Sequence, residues 1–82
     1  MKIEVFIRIL NAISEGQRKK SHIRKRSGLD WTTLKIHLDV LVERGLVREV
    51  EDKKRSPNYE LTSKGDDAIK RSRRLIELLE KR

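Results

Sequence analysis

The hydrophobic residues between Ile3 and Ser14 lie on two stripes of one helix. Ile3, Phe6, Ile7, Leu10 and Ile13 follow the spacing of a core face, while Val5, Ile9 and Ala12 run along another side. A surface helix keeps its second side polar, so two apolar sides imply two partners for burial. These are the domain core and a partner subunit, or neighbours on both sides within one monomer. Gly16 stops this helix, and Gln17 to Lys20 form a polar, basic connection. Ser21 suits the N-cap of a short helix through Ser27, in which only Ile23 is strongly apolar. Gly28-Leu29 predicts a turn, with Leu29 plugging the core.

Asp30 caps the next predicted helix, Trp31 to Arg44. Leu34, Leu38 and Leu41 share a narrow arc of it, with Trp31 and Val42 on the flank and Thr32, Ile36, Asp39 and Glu43 on the far side. Gly45 ends the helix. Leu46 to Val50 and Asn58 to Leu61 read as strands joined by the polar turn Glu51 to Pro57, with Lys53, Lys54 and Arg55 at its tip. Thr62 caps a final helix of about 20 residues, roughly 30 Å long. Ile69, Ser72, Ile76 and Leu79 follow heptad-like spacing on it, with Leu75 and Leu78 beside them. The expected class is α+β, mostly α: three helices, a two-stranded hairpin and a long C-terminal helix. Residues 1–62 form the expected domain and residues 63–82 the final helix.

Composition narrows the classes further. Eighty-two residues with 35% apolar content make one small domain with a limited core, so part of its stability is expected from oligomerisation. The absence of Cys excludes disulfides and thiolate zinc sites, and fits a reducing compartment. No apolar run approaches the roughly 20 residues a bilayer span needs. The first helix carries Glu4, Arg8 and Asn11, which argues against a secretory signal, so the chain reads as intracellular. Charged residues make up 41%, Gln17 is the only Gln, and Asn11 and Asn58 are the only Asn. That bias is expected of a thermophile. The net charge of +8 favours a polyanionic partner, either nucleic acid or an anionic membrane surface.

Nucleic acid is favoured by the layout of Ser21 to Leu46: a basic helix, a Gly-containing turn, a capped helix, then Gly and a strand. This is the order of a helix-turn-helix, whose second helix is presented to the DNA major groove. Catalysis finds no support, because no nucleophile elbow, phosphate-cradling glycine loop or paired acids are legible. His22 and His37, without Cys or carboxylates at ligand spacing, read as structural residues or phosphate contacts rather than metal ligands. No cofactor, metal, membrane or small-molecule partner is expected.

Two segments then carry a family resemblance. Leu38-Asp39-Val40-Leu41-Val42-Glu43-Arg44-Gly45-Leu46-Val47 is similar to the helix-to-strand junction of many winged-helix regulators, the MarR-like group included. Tyr59-Glu60-Leu61-Thr62-Ser63-Lys64-Gly65 is similar to the strand-to-helix junction that follows the wing. The whole chain resembles a winged helix-turn-helix protein of the archaeal type, with a C-terminal dimerising helix. The resemblance implies a cytoplasmic, nucleoid-associated homodimer with one recognition helix per half-site and wings reaching the flanking minor groove or backbone. The final helix is shorter than in members with long coiled-coil arms, so the first helix is expected to share the interface. Val5, Ile9, Ile69, Ile76 and Leu79 are the dimerising candidates.

Arg18, Lys19, Lys20, Arg24, Lys25 and Arg26 form a block without acidic residues, suited to phosphates; Lys20, Ser21, Arg24 and Lys25 are the leading contacts. Thr32, Thr33, Lys35 and Ile36 are the candidates for base edges, where an apolar group can meet a thymine methyl. Ile36 is otherwise a stray surface residue. Asp39 and Glu43 would repel phosphates and confine reading to the helix's N-terminal half. Trp31 is expected to be partly buried in the core. Lys53, Lys54 and Arg55 would reach the minor groove or backbone, or else serve only solubility. Lys70, Arg71, Arg73 and Arg74 read as a solvated face. The expected function is sequence-specific binding of double-stranded DNA by a homodimeric transcriptional regulator, a repressor by family analogy. The rivals are a non-specific architectural DNA binder and a winged-helix protein-interaction module; RNA remains open as a ligand.

Overall fold

The computed structural model describes residues 2–51 and 57–80. Its elements follow the order α1 (Ile3–Ser14), α2 (Lys20–Ser27), α3 (Trp31–Glu43), β1 (Val47–Val50), β2 (Asn58–Leu61) and α4 (Ser63–Glu80). The strands pair antiparallel, from Val47 opposite Leu61 to Val50 opposite Asn58. Lys19 adds a bridge to Asn58, and the Tyr59 N–H donates to the Arg18 carbonyl at 2.8 Å. The segment entering α2 thus lies along the edge of the hairpin.

That edge pairing decides where α2 begins. Lys19 is held extended as the N-cap, so Lys20 is already helical and no side chain caps the helix. Ser21 is therefore not the cap that the sequence suggested; it is an exposed residue of the first turn. At the other end Gly28 takes a left-handed conformation, φ 71°, and its N–H donates to the Arg24 carbonyl. Asp30 does cap α3, its Oδ1 accepting from the Thr33 N–H at 2.7 Å.

The two family-like segments are in physical terms one joint. Gly45 turns the chain at φ 76°, and the Leu46 N–H closes back on the Leu41 carbonyl. Thr62 Oγ1 donates to the Gly45 carbonyl at 2.6 Å and accepts from the Gly65 N–H at 3.1 Å. Lys64 Nζ donates to the Arg44 carbonyl at 3.0 Å. The start of α4 is thereby fastened to the end of α3, which fixes the hairpin between them.

The core joins Ile9, Leu10, Ala12 and Ile13 of α1 to Ile23, Leu29, Leu34, Leu38, Leu41, Val47, Tyr59 and Ile69. Burial on α1 differs from the two-stripe expectation. Ile9 and Ala12, on the side offered to a partner, are fully buried, whereas Ile3 of the supposed core stripe is 70% exposed. The reason is position along the axis: α2, α3, β2 and α4 all converge on α1, and its buried residues begin only at Ile9. On α4, Gly65 and Ile69 are buried, and beyond Ser72 every described residue is exposed. The last tether is Arg73, which donates to Asn11 Oδ1 at 3.0 Å and Ser14 Oγ at 2.8 Å.

Candidate nucleic-acid interface

On α2, Ile23 and Ser27 turn inward, leaving the charged residues to the remaining surface. These cations do not share one fate. Arg26 is bound by Glu15 at 2.6 Å, and Arg18 by Glu60, which also receives Arg48 at 3.4 Å. The Arg18 hydrogen bond is the main cause holding the Glu60 carboxyl below its ordinary range, with the charges of Arg18 and Arg48 adding to it. On α4, Lys70, Arg71 and Arg74 pair with Asp66, Asp67 and Glu77 along the helix, as a solvated face would. Among the described residues, Lys19, Lys20, Arg24 and Lys25 have no carboxylate partner. Among the described residues, the basic block of the sequence thus divides into cations neutralised at its two ends and cations without a carboxylate partner between them.

The adjoining face of α3 presents Thr32, Lys35, Ile36, Asp39 and Glu43, all exposed. Ile36 is 53% exposed, an apolar side chain with no place in the core. Lys35 reaches forward to Asp39 Oδ2 at 3.3 Å, so its charge is shared with a carboxylate one turn on. Thr33 is half-buried instead of lying fully on this face. Its carbonyl meets His37 Nδ1 at 2.7 Å, and the His37 ring lies 4.8 Å from Phe6. His37 is a packing residue.

Trp31 departs from its expected core burial and is 51% exposed. The first turn of α3 meets α2, whose outward residues are basic, so the indole finds a guanidinium where a core contact was expected: Arg24 Cζ lies 5.0 Å from its ring centroid. Tyr59 shows the opposite case. Its side chain is buried, its hydroxyl donates to Glu49 Oε1 at 3.2 Å, and burial with the Glu49 charge pushes the phenol up to about 12. Lys53, Lys54 and Arg55 lie outside the described residues.

A second surface opens where α1, the end of α3 and α4 meet. Ile3, Phe6, Ile7 and Leu10 of α1, with Val40, Leu46, Ala68 and Leu75, line an open apolar groove of about 460 Å³. Leu75 is itself exposed, and Ile76, Leu78 and Leu79 follow it on α4 as exposed residues. Of the dimerising candidates, Ile76 and Leu79 are exposed on α4 and Val5 is half-buried against the core. Ile9 and Ile69 leave the set, because each is enclosed by its own protomer's core and offers no surface to a partner. Leu75, which the sequence placed beside the heptad-like stripe, lines the groove and is exposed.

Among the described residues, no helix is long and apolar enough to cross a membrane, and no group of His, Cys, Asp or Glu is arranged to hold a metal ion. In sequence, the chain is 28% identical over 78 residues to an uncharacterized protein of Methanocaldococcus jannaschii, covering 95% of this chain and 75% of that one. In structure, it is similar to a MarR-family transcriptional regulator from Silicibacter pomeroyi, with TM-score 0.77 and 28% identity over 83% of this chain and 47% of that one. It is also similar to the transcriptional regulator BldR from Sulfolobus solfataricus, with TM-score 0.81 and 27% identity over 92% of this chain and 55% of that one. The chain therefore spans about half the length of these two regulators. The fold of Sso10a-2, a DNA-binding protein from Sulfolobus solfataricus, matches with TM-score 0.81 at 20% identity over 98% of this chain and 82% of that one. A family model described as winged helix-turn-helix matches residues 1–80, and the chain belongs to that family.

Proposed function

We propose that this chain binds double-stranded DNA as a homodimer and regulates transcription, repressing by occlusion of a promoter. The observation that carries this reading is the set Lys19, Lys20, Arg24 and Lys25, free of carboxylate partners among the described residues and joined through the Arg24–Trp31 contact to the start of α3, which exposes Thr32, Lys35 and Ile36. The cations anchor phosphates and fix register; Thr32, Lys35 and Ile36 meet base edges, with Thr33 at their margin. Lys53, Lys54 and Arg55, between the strands in sequence, add backbone or minor-groove contacts. The likeness to two transcriptional regulators at 27% identity or above supports the regulatory role.

In this reading residues 1–62 bind DNA and residues 63–82 dimerise. The exposed apolar run Leu75, Ile76, Leu78 and Leu79, continuous with the groove against α1, supports a second copy as the partner. A chain with so small a core gains most from covering such a surface.

Fluorescence anisotropy on a labelled random duplex across a salt series tests the reading. A slope of log K against log salt equivalent to about 6 to 10 phosphates is expected. Negligible binding at every salt concentration removes it. A second reading, architectural binding without sequence preference, is favoured by Asp39 and Glu43 on the exposed face of α3, which narrow the area available for base reading. Selection of a preferred site separates the two: equal affinity for the selected site and random duplex supports the architectural protein.

A further inference from the structure

Trp31 and Arg24 are each hard to explain as scaffold. The indole is the largest apolar side chain of the protein, yet 51% of the residue is exposed at the first position of α3. Arg24 lies on the flank of α2 turned toward it, with its guanidinium carbon over the ring, 5.0 Å from the centroid. Unlike Arg18 and Arg26 in the same basic block, Arg24 has no carboxylate partner among the described residues. Its Nε is buried without a hydrogen-bond partner. The inner edge of the guanidinium is therefore enclosed, and among the described residues its terminal nitrogens are the donors left for a ligand.

We propose that Arg24 and Trp31 act as one phosphate clamp, in which the indole face holds the guanidinium flat and its terminal N–H groups grip the DNA backbone beside the recognition helix. The inference rests on the DNA-binding reading and deepens it. It assigns a binding role to Trp31, not as a base-stacking platform but as a positioning residue for Arg24. Stacking suits arginine because cation–π contact uses the face of the guanidinium and leaves its edge free for a bidentate acceptor. An ammonium group carries the same charge but cannot present a planar fork. A rotamer held in advance also loses less entropy on binding than a free surface arginine. The clamp sits where α2 meets the start of α3, so its grip would fix how deeply α3 enters the groove.

The test is anisotropy on labelled random-sequence duplex over a salt series, with the full chain. Arg24→Ala should lower the salt slope by about 1 per protomer. Arg24→Lys should keep the slope but weaken binding by about 3- to 10-fold, because charge remains and planarity is lost. Trp31→Ala should behave as Arg24→Lys does, and Trp31→Phe should recover most of the affinity by restoring an aromatic face. In an Arg24→Ala background, Trp31→Ala should have no further effect. Circular dichroism melts of the Trp31 variants, unchanged because the indole is half in solvent, exclude unfolding as the cause. Wild-type affinity in both Arg24→Lys and Trp31→Ala, or additive losses in the double variant, would overturn the clamp while leaving DNA binding intact. A wild-type chain that binds no duplex removes both.

Discussion

Gly65 of α4 lies so close to Leu46 that a Cβ on it would stand 2.0 Å from the Leu46 carbonyl oxygen. That oxygen cannot retreat, since it accepts the Thr62 N–H at 3.1 Å within the joint between α3 and α4. Gly65 is helical and needs no unusual backbone angle; what it supplies is absence of volume. Gly65→Ala should therefore destabilise by about 2–3 kcal/mol through overpacking, lowering the melting midpoint by roughly 10–20 °C. Gly16→Ala provides the contrast. Nothing lies within 4 Å of its Cβ position, and only its φ of 103° is unfavourable. Its loss should be about 1 kcal/mol. Thermal melts followed by circular dichroism compare the two directly.

Stability should plateau between mildly acidic and alkaline pH and fall on both sides. The Glu60 and Asp30 carboxyls are held below their ordinary values of 4.5 and 3.8, chiefly by the Arg18 hydrogen bond and the Thr33 backbone N–H. A depressed folded-state pKa contributes stability above the ordinary value and loses it as pH falls through the folded one. Tyr59 has the opposite sign. Burial first, and Glu49 second, raise it from 10.0 to about 12, so its contribution is present below pH 10.0 and declines as pH rises toward 12. Melting midpoints measured across pH should show both limbs. Glu60→Gln should flatten the acid limb and Tyr59→Phe the alkaline one. An unchanged acid limb in Glu60→Gln would show that its ion pairs contribute nothing to folding.

The exposed leucines of α4 set a prediction about assembly. Leu79 is 76% exposed and contacts no part of the core, so Leu79→Asp should leave the folded protomer intact. If a second copy covers this surface, Leu79→Asp and Ile76→Asp should weaken the dimer by at least 100-fold, since each buries a charge in an apolar interface. Sedimentation at micromolar concentration should then find dimer for the wild type and monomer for the variants. A monomeric wild type would remove the dimer and the two-half-site geometry with it.

The fold was legible because its signals were local and redundant. Asp30 and Thr62 announced two helix starts, Gly45 one stop, and Leu34, Leu38 and Leu41 gave a single unambiguous face. Ser21 misled because the N-cap of α2 is fixed by a bridge from Lys19 to Asn58, distant in sequence. The stripes of α1 misled for a related reason. Helical periodicity reports which side of a helix is apolar, but whether Ile3 or Ile9 is covered depends on which neighbours reach each end of it. Trp31 combines both problems: its arc position is correct, yet the surface it meets is basic α2. In the candidate interface, the basic character of residues 18–26 was plain from sequence. Which of those cations are paired was not, because the carboxylates that neutralise Arg18 and Arg26 come from Glu60 and Glu15.

Asp39 offers a prediction with an unusual sign. It lies on the exposed face of α3 and holds Lys35 at 3.3 Å, so it both repels phosphates and occupies a cation that binding would use. Removing its charge should strengthen contact with any duplex: Asp39→Asn is expected to raise affinity for random DNA by about 3- to 10-fold, consistent with one charge acting at a few ångströms in high dielectric. The gain should shrink as salt rises, because exposed charges are screened. A gain that applies equally to every sequence leaves discrimination unchanged. The ratio of affinities for a selected site and random duplex should fall only if Asp39 accepts a hydrogen bond from a cytosine amino group in the specific complex. It should stay constant if Asp39 acts only by repulsion. Unchanged affinity for random duplex in Asp39→Asn would place the DNA away from this face of α3.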